Sequence, residues 1–208
     1  MKTTIIKGDD LSYAVETILR GGLVAVPTET VYGLAGNGLD ASAVAQIYDV
    51  KGRPAIKPLS LLVPGLEVAT TVCAVIPESA RLLADAFWPG PLTLVLPRTD
   101  GVPDIVTAGG DTIGVRCPDH PKTLEFLKLA GVPAAAPSAN ISNQPSPKSA
   151  EDVLAYFDGK IDCVIDGGTC ALGVESTLVL LSSEPGFYKI LRQGALPEED
   201  IQRALGHW

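Results

Sequence analysis

The side chains that can do chemistry in this sequence fall in short clusters just after apolar runs. "AVPTETVYGLAGNG", from Ala25 to Gly38, interrupts an apolar stretch with Thr28, Glu29 and Thr30. Polar groups at the end of a strand are placed to meet a ligand, because open α/β sheets bind ligands outside the carboxyl ends of their strands. "KGRP" sets Lys51 and Arg53 about a glycine where a helix ends. Two readings fit this pair: cations complementing a helix dipole in solvent, or a phosphate clamp with arginine as a fork and lysine as a point charge. Lys57 is a third cation, on what reads as a solvated loop. Arg116 closes "TIGVR", placed for a surface ion pair or for a bidentate grip on a carboxylate. "APSANISNQPSPKS" offers Ser138, Asn140, Ser142, Asn143 and Ser146. These are hydroxyls and amides rather than strong bases, and they also suit a plain loop capping the next helix. "GVEST" brings Glu175, Ser176 and Thr177 to the start of a strand, and "ILRQG" leaves Arg192 just after one.

Histidine is scarce. His120 lies between prolines in "CPDHP" and reads as a turn or helix-entry residue, and His207 is penultimate. A Ser-His-Asp or Cys-His mechanism would have to use His120, in a setting that does not suggest a held triad. Cys73, Cys117, Cys163 and Cys170 form no C-x-x-C pair, which argues against zinc; they read as reduced thiols. There is no Walker motif, and the glycines at 33, 36 and 38 do not have dinucleotide-fingerprint spacing. No metal site from protein side chains is expected. Several cations, many hydroxyls and no acid–base histidine suit the orientation and charge neutralisation of phosphates and a carboxylate.

These clusters need elements to hold them. Apolar spacing predicts helices in "DDLSYAVETILRGG", "DASAVAQIYDVKG", "PESARLLADAFWPG", "HPKTLEFLKLAG", "SAEDVLAYF" and "LPEEDIQRALG". Ser149 and Asp152 form a capping-box pattern for the fifth of these. Strands are predicted in "GLVAVP", "PLSLLVP", "PLTLVLP", "TIGVR", "VPAAAP", "KIDCVID", "ESTLVLL" and "FYKILR". Interspersed helices and strands, with some strands too close for a helical crossover, imply one α/β domain with a mixed sheet.

The bulk numbers agree. With 208 residues, 46% apolar and 5% aromatic, the chain can form one sizeable core of Val, Leu, Ile and Ala. A net charge of -8 disfavours non-specific nucleic-acid binding, a local basic cleft aside. No signal-peptide pattern and no run of membrane-spanning length is present, so a cytoplasmic protein is expected.

"VPTETVYGLAGNG", "KGRP…KPLSLLV", "FWPGPLTLVL", "GVRCPDHP", "AAPSANIS…PSP", "DGG…GVESTLV" and "ILRQGAL" occur in an order and spacing that resemble the YrdC-like family, the threonylcarbamoyl-AMP synthases. The resemblance covers nearly the whole chain. It implies a single twisted α/β domain over residues 1–208, core about 8–195 with a short helix after it, around a large concave, positively lined cavity. Longer family members carry a second C-terminal domain, and this chain resembles the short form. The implied reaction joins L-threonine, bicarbonate or CO2, and ATP with its Mg2+ into threonylcarbamoyl-adenylate and pyrophosphate. A separate transferase complex would then modify the adenosine next to the tRNA anticodon.

Position by position, Thr30, Arg116, Ala136 and Ser176 resemble threonine contacts, Arg116 through the carboxylate and Ala136 through its backbone. Lys51 and Arg53 resemble a catalytic phosphate-binding pair. Thr112, Ser138, Asn140, Ser146 and Arg192 resemble ATP contacts, with Lys57 beside them. Three departures stand out. Leu62 replaces a histidine that contacts threonine in many relatives, Lys57 replaces an ATP-contacting asparagine, and Asn143 replaces a common glycine. Two alternatives stay open: a non-catalytic RNA-binding module of the same fold, and an ATP-binding protein with another carboxylic substrate, which Leu62 would favour.

Overall fold

The computed structural model describes residues 2–54, 56–181 and 187–206; His207 lies outside them. In chain order the elements are β1 (Thr4–Ile6), α1 (Ser12–Leu19), β2 (Val24–Val26), β3 (Gly33–Asn37), α2 (Ala41–Lys51), β4 (Ser60–Leu62), α3 (Leu66–Val72), α4 (Glu78–Phe87), β5 (Leu92–Pro97), α5 (Asp104–Thr107), β6 (Thr112–Arg116), α6 (Pro121–Ala130), β7 (Ala134–Ala135), α7 (Ala150–Phe157), β8 (Cys163–Ile165), β9 (Thr177–Leu181), β10 (Tyr188–Arg192) and α8 (Glu198–Leu205). The strands form one mixed sheet in the order β1-β8-β2-β3-β7-β4-β6-β5-β9-β10. This is the α/β class expected, with β1, β3, α3 and α5 in addition to the predicted elements.

The additions have physical reasons. β3 is "GLAGN", too rich in glycine to read as a strand. Its Gly36 lets α2 lie close, since a Cβ there would sit 3.2 Å from both the Ile47 and Leu23 side chains. β1 is an edge strand with only Ile6 buried, so it lacks an apolar alternation.

Side chains alternate across the sheet. Ala25, Leu34, Leu61, Val63, Leu92, Leu94, Leu96, Ile113, Val115, Val179 and Leu181 join a large cluster with residues of α2, α3, α4, α7 and α8. Val24, Val26, Ala35, Leu62, Ala134, Cys163 and Ile165 point the other way, into a smaller cluster with α1 and α6. Helix ends follow their sequence signals: the Asp40 carboxylate accepts the Ser42 N–H at 2.8 Å, and Ser149 and Asp152 make a complete capping box on α7.

Ser149→Ala should cost about 1 kcal/mol, as loss of an N-cap does. Chemical denaturation should show a lower midpoint with an unchanged slope; an unchanged midpoint would mean that the cap adds nothing.

Candidate active site

The larger apolar cluster takes one set of alternating residues from β4, β6, β5 and β9. The other set is Ser60 and Leu62 of β4, Thr112, Gly114 and Arg116 of β6, Thr93 and Val95 of β5, and Leu178 and Leu180 of β9. Leu178, Leu180 and Val95 of this set belong to neither core cluster. This stretch of the sheet is therefore the floor of a concave cavity of about 220 Å³, lined by Ser60, Leu62, Thr93, Arg116 and Leu178 together with Thr28, Thr30, Arg53, Ala136, Ser138, Glu175, Ser176 and Arg192. Gly114 keeps the floor low, because a Cβ there would lie 2.6 Å from Ser60 Oγ and 3.2 Å from Thr93 Cγ2.

Arg116 is held at three points. Its Nε donates to the Gly90 carbonyl at 3.1 Å. Its Nη2 donates to Glu29 Oε1 at 2.7 Å and to Thr30 Oγ1 at 2.9 Å. Glu29 Oε2 accepts the Asp119 N–H at 3.0 Å. Beneath lies Thr28, whose hydroxyl donates to the Val31 carbonyl at 2.6 Å. A hydroxyl has one proton. At the 2.8 Å contact between Thr28 Oγ1 and Thr30 Oγ1 the donor is therefore Thr30. Thr30 is fully buried and turns only lone pairs toward Arg116. The polar break in "PTETV" thus builds a bed for one guanidinium.

The cation pair separates. Arg53 lines the cavity, with Nε and Nη2 donating to the carbonyls of Lys57 (3.3 Å) and Pro58 (3.0 Å). Lys51 is only 1% exposed. Its Nζ donates to the carbonyls of Ser138 and Asn140, and its own carbonyl accepts the Ser142 N–H at 2.9 Å. Asn140 is buried in the same knot: Oδ1 accepts from Ser138 Oγ at 2.6 Å, and Nδ2 donates to the carbonyls of Ile141 and Gln144 at 2.9 and 2.7 Å. Lys51 and Asn140 therefore shape the loop that presents Ser138, and neither lines the cavity itself.

On the opposite wall, Ser176 Oγ lies 2.7 Å from Thr93 Oγ1 and accepts from Arg192 Nη2 at 3.2 Å. Ser146 Oγ donates to Glu175 Oε1 at 2.9 Å, and Arg192 Nη1 lies 3.5 Å from Glu175 Oε2. Arg192 reaches this face through an irregularity in β10: Ile190 pairs with Val179, but Arg192 pairs with Leu178, so one residue is extra. A bulge of this kind re-aims the next side chain.

The structure thus brings Thr30, Arg53, Arg116, Ala136, Ser138, Ser176 and Arg192 to one cavity. Ser146 touches it through Glu175. Thr112 is exposed at the far end of β6, roughly 14 Å along the strand from Arg116 at ~3.4 Å per residue. Lys57 is exposed and enters only through its carbonyl, 2.9 Å from the Tyr48 hydroxyl. Ser60, Thr93 and Leu178 were not foreseen. The signal for Thr93 was one polar residue at the wrong parity in "PLTLVLP".

Other groups stay apart from this cavity. His120 borders a second, smaller one, and its Nδ1 is buried without a partner among the described residues. Burial lowers its pKa. Burial also pushes the Cys117 thiol up to about 11, and Cys73 and Cys163 up to about 12, away from nucleophilic thiolates. Among the described residues no three His, Cys, Asp or Glu side chains gather as a metal site, and no helix is long and apolar enough to cross a membrane.

Comparison with known proteins places this geometry. The Sua5/YciO/YrdC family model, described by the words "telomere recombination", matches residues 16–194. A threonylcarbamoyl-AMP synthase of Pyrococcus abyssi is 50% identical over 189 residues, covering 91% of this chain and 55% of its own length. One of Bacillus subtilis is 41% identical over 197 residues, covering 94% of this chain and 56% of its own length. The crystal structure of P. abyssi Sua5 complexed with L-threonine superposes with a TM-score of 0.94 and 46% identity, over 99% of this chain and 61% of that one. The chain spans little more than half the length of these relatives.

Burial pushes the Lys51 ammonium down to about 7; nearby Arg53 adds to the shift and Glu175 opposes it. In the unfolded chain a lysine titrates near ~10.4. Between those values the unfolded chain holds a proton that the folded chain has released, so stability rises with pH through this window and is lowest below it. Relative to Lys51→Met, the wild type should gain unfolding free energy as pH rises from about 7 to 9. A pH-independent difference between the two proteins would show that the amine carries the same charge folded and unfolded.

Proposed function

The chain belongs to the Sua5/YciO/YrdC family, and we propose that it forms threonylcarbamoyl-adenylate and pyrophosphate from L-threonine, bicarbonate or CO2, and ATP. The observation that carries this reading is the charge of the cavity. Arg53, Arg116 and Arg192 line it with the Glu175 carboxylate, and Glu29 stands behind Arg116, so three guanidiniums meet two carboxylates here in a chain of net charge -8. An acidic protein that concentrates guanidiniums on one concave face is built to hold anions there.

Arg116 takes the threonine carboxylate. Leu62 pairs with Arg116 in the β4–β6 register and lines the same cavity, so an apolar wall stands where many relatives have histidine. The Ala136 backbone and the Ser176 hydroxyl complete this end. Arg53, Ser138 and Arg192 take the nucleotide, and Lys51 and Asn140 serve by holding the loop that bears Ser138. The neutral amine of threonine takes up CO2 and loses a proton to give a carbamate. A carbamate oxygen then attacks the α-phosphorus of ATP, and pyrophosphate leaves with its electron pair. No covalent enzyme intermediate is required, in keeping with thiols held protonated and a histidine that does not line the cavity.

The residues present fit Mg2+ arriving with ATP. Glu175 is committed to Ser146 and Arg192, so phosphates and water would be the chief ligands, as this ion prefers. When bound, the ion neutralises charge building on the leaving phosphates. The product suits a downstream transferase that modifies the adenosine beside the tRNA anticodon, in the cytoplasm.

Pyrophosphate release should require ATP, L-threonine and bicarbonate together; equal release without threonine would remove this function. Salt-sensitive RNA binding without turnover would favour the RNA-binding module. Arg53→Ala should slow turnover at saturating ATP by roughly 10²–10³-fold, as loss of a preorganised charge-stabilising donor does. Arg53→Lys should recover little, because lysine lacks the fork. Near-normal turnover in a folded Arg53→Ala protein would detach this residue from the phosphates.

A further inference from the structure

The guanidinium of Arg116 has five N–H groups. Nε–H is spent on the Gly90 carbonyl, and both N–H groups of Nη2 are spent on Glu29 Oε1 and Thr30 Oγ1. Nη1 alone has no partner among the described residues, and Arg116 lines the cavity. Thr30 cannot release its share by turning its proton toward Nη2, because that proton is committed to Thr28. Glu29 cannot swing away without cost, since its second oxygen caps the Asp119 N–H and its side chain is 11% exposed.

We propose that Glu29 is a positioning residue for Arg116: it consumes the Nη2 edge of the guanidinium, so that the substrate carboxylate is met through Nη1 rather than by the two-nitrogen fork. This rests on the reading that Arg116 holds the threonine carboxylate. Two consequences separate it from a plain structural ion pair. Glu29 already compensates the charge of Arg116, so if charge balance were its whole role, removing it would strengthen carboxylate binding. If aim is its role, removing it weakens binding although the arginine is then less neutralised. Glutamine keeps one acceptor oxygen and sets an NH2 in place of the other, so either Arg116 Nη2 or the Asp119 N–H then meets a donor. Aspartate keeps the charge but is one methylene short of spanning them.

The test is calorimetric titration of L-threonine into the wild type, Glu29→Gln and Glu29→Asp, with steady-state KM values for threonine and ATP. Both variants should bind threonine about tenfold or more weakly, the scale of a misdirected charged hydrogen bond. The KM for ATP should stay within about twofold, since the nucleotide meets other residues. Nitrogen-15 relaxation of the Arg116 Nε–H, measured without substrate, should show a rigid side chain in the wild type and a mobile one in both variants. Unchanged or tighter threonine binding in either variant, or threonine and ATP requirements raised equally, would overturn the proposal. So would a wild-type Arg116 as mobile as in the variants. Absence of threonine binding in the wild type itself would remove both this proposal and the substrate reading beneath it. Should Glu29→Gln fail to fold, Glu29→Asp and the wild-type relaxation still decide.

Discussion

Much of this molecule follows from one constraint: successive residues of a strand face opposite sides of the sheet. Along β4, β6, β5 and β9 one parity is apolar and is buried beneath helices. The other parity opens into the cavity along much of its length, where Ser60, Gly114, Thr93 and Arg116 supply small, polar and charged groups and Leu62 and Leu178 an apolar lining. The core and the cavity are thus two readings of the same four strands, and a register shift of one residue would exchange them.

Charge in the cavity is organised as arginines with resident carboxylates. The Arg116–Glu29 pair is close, at 2.7 Å, and nearly enclosed, while the Arg192–Glu175 pair is longer, at 3.5 Å, with side chains 44% and 40% exposed. Burying the first pair costs desolvation that its Coulomb attraction only partly repays. Its additional hydrogen bonds to Gly90, Thr30 and Asp119 occupy every Arg116 donor except those of Nη1 and give the pair a single geometry. The second pair is screened by solvent and contributes little stability.

The sequence made some of this legible and hid the rest for identifiable reasons. Arg116 stood out because it follows an apolar strand, and the capping box on α7 could be read from two residues at fixed spacing. The direction of a long side chain carries no such mark. Lys51 and Arg53 are two residues apart, yet one turns inward to the Ser138 and Asn140 carbonyls and the other lines the cavity. Nothing local to "KGRP" encodes a loop some ninety residues away. Glycine-rich β3 was hidden because the feature that makes it a good neighbour for α2 also removes the side chains that announce a strand. Thr93 was hidden because its partner, Ser176, is distant in sequence.

The bulge in β10 bears on how this surface can vary. Tyr188 and Ile190 pack toward the larger cluster, and by parity Arg192 would follow them. The extra residue turns it to the other face. An edge strand can change length by one residue without disturbing a neighbour on its free side. The identity of the group offered at this wall is therefore governed by a count as well as by a codon. A regular ladder, with Leu191 rather than Arg192 opposite Leu178, would offer a leucine at this wall and withdraw the guanidinium from the cavity while leaving every amino acid that lines its floor untouched.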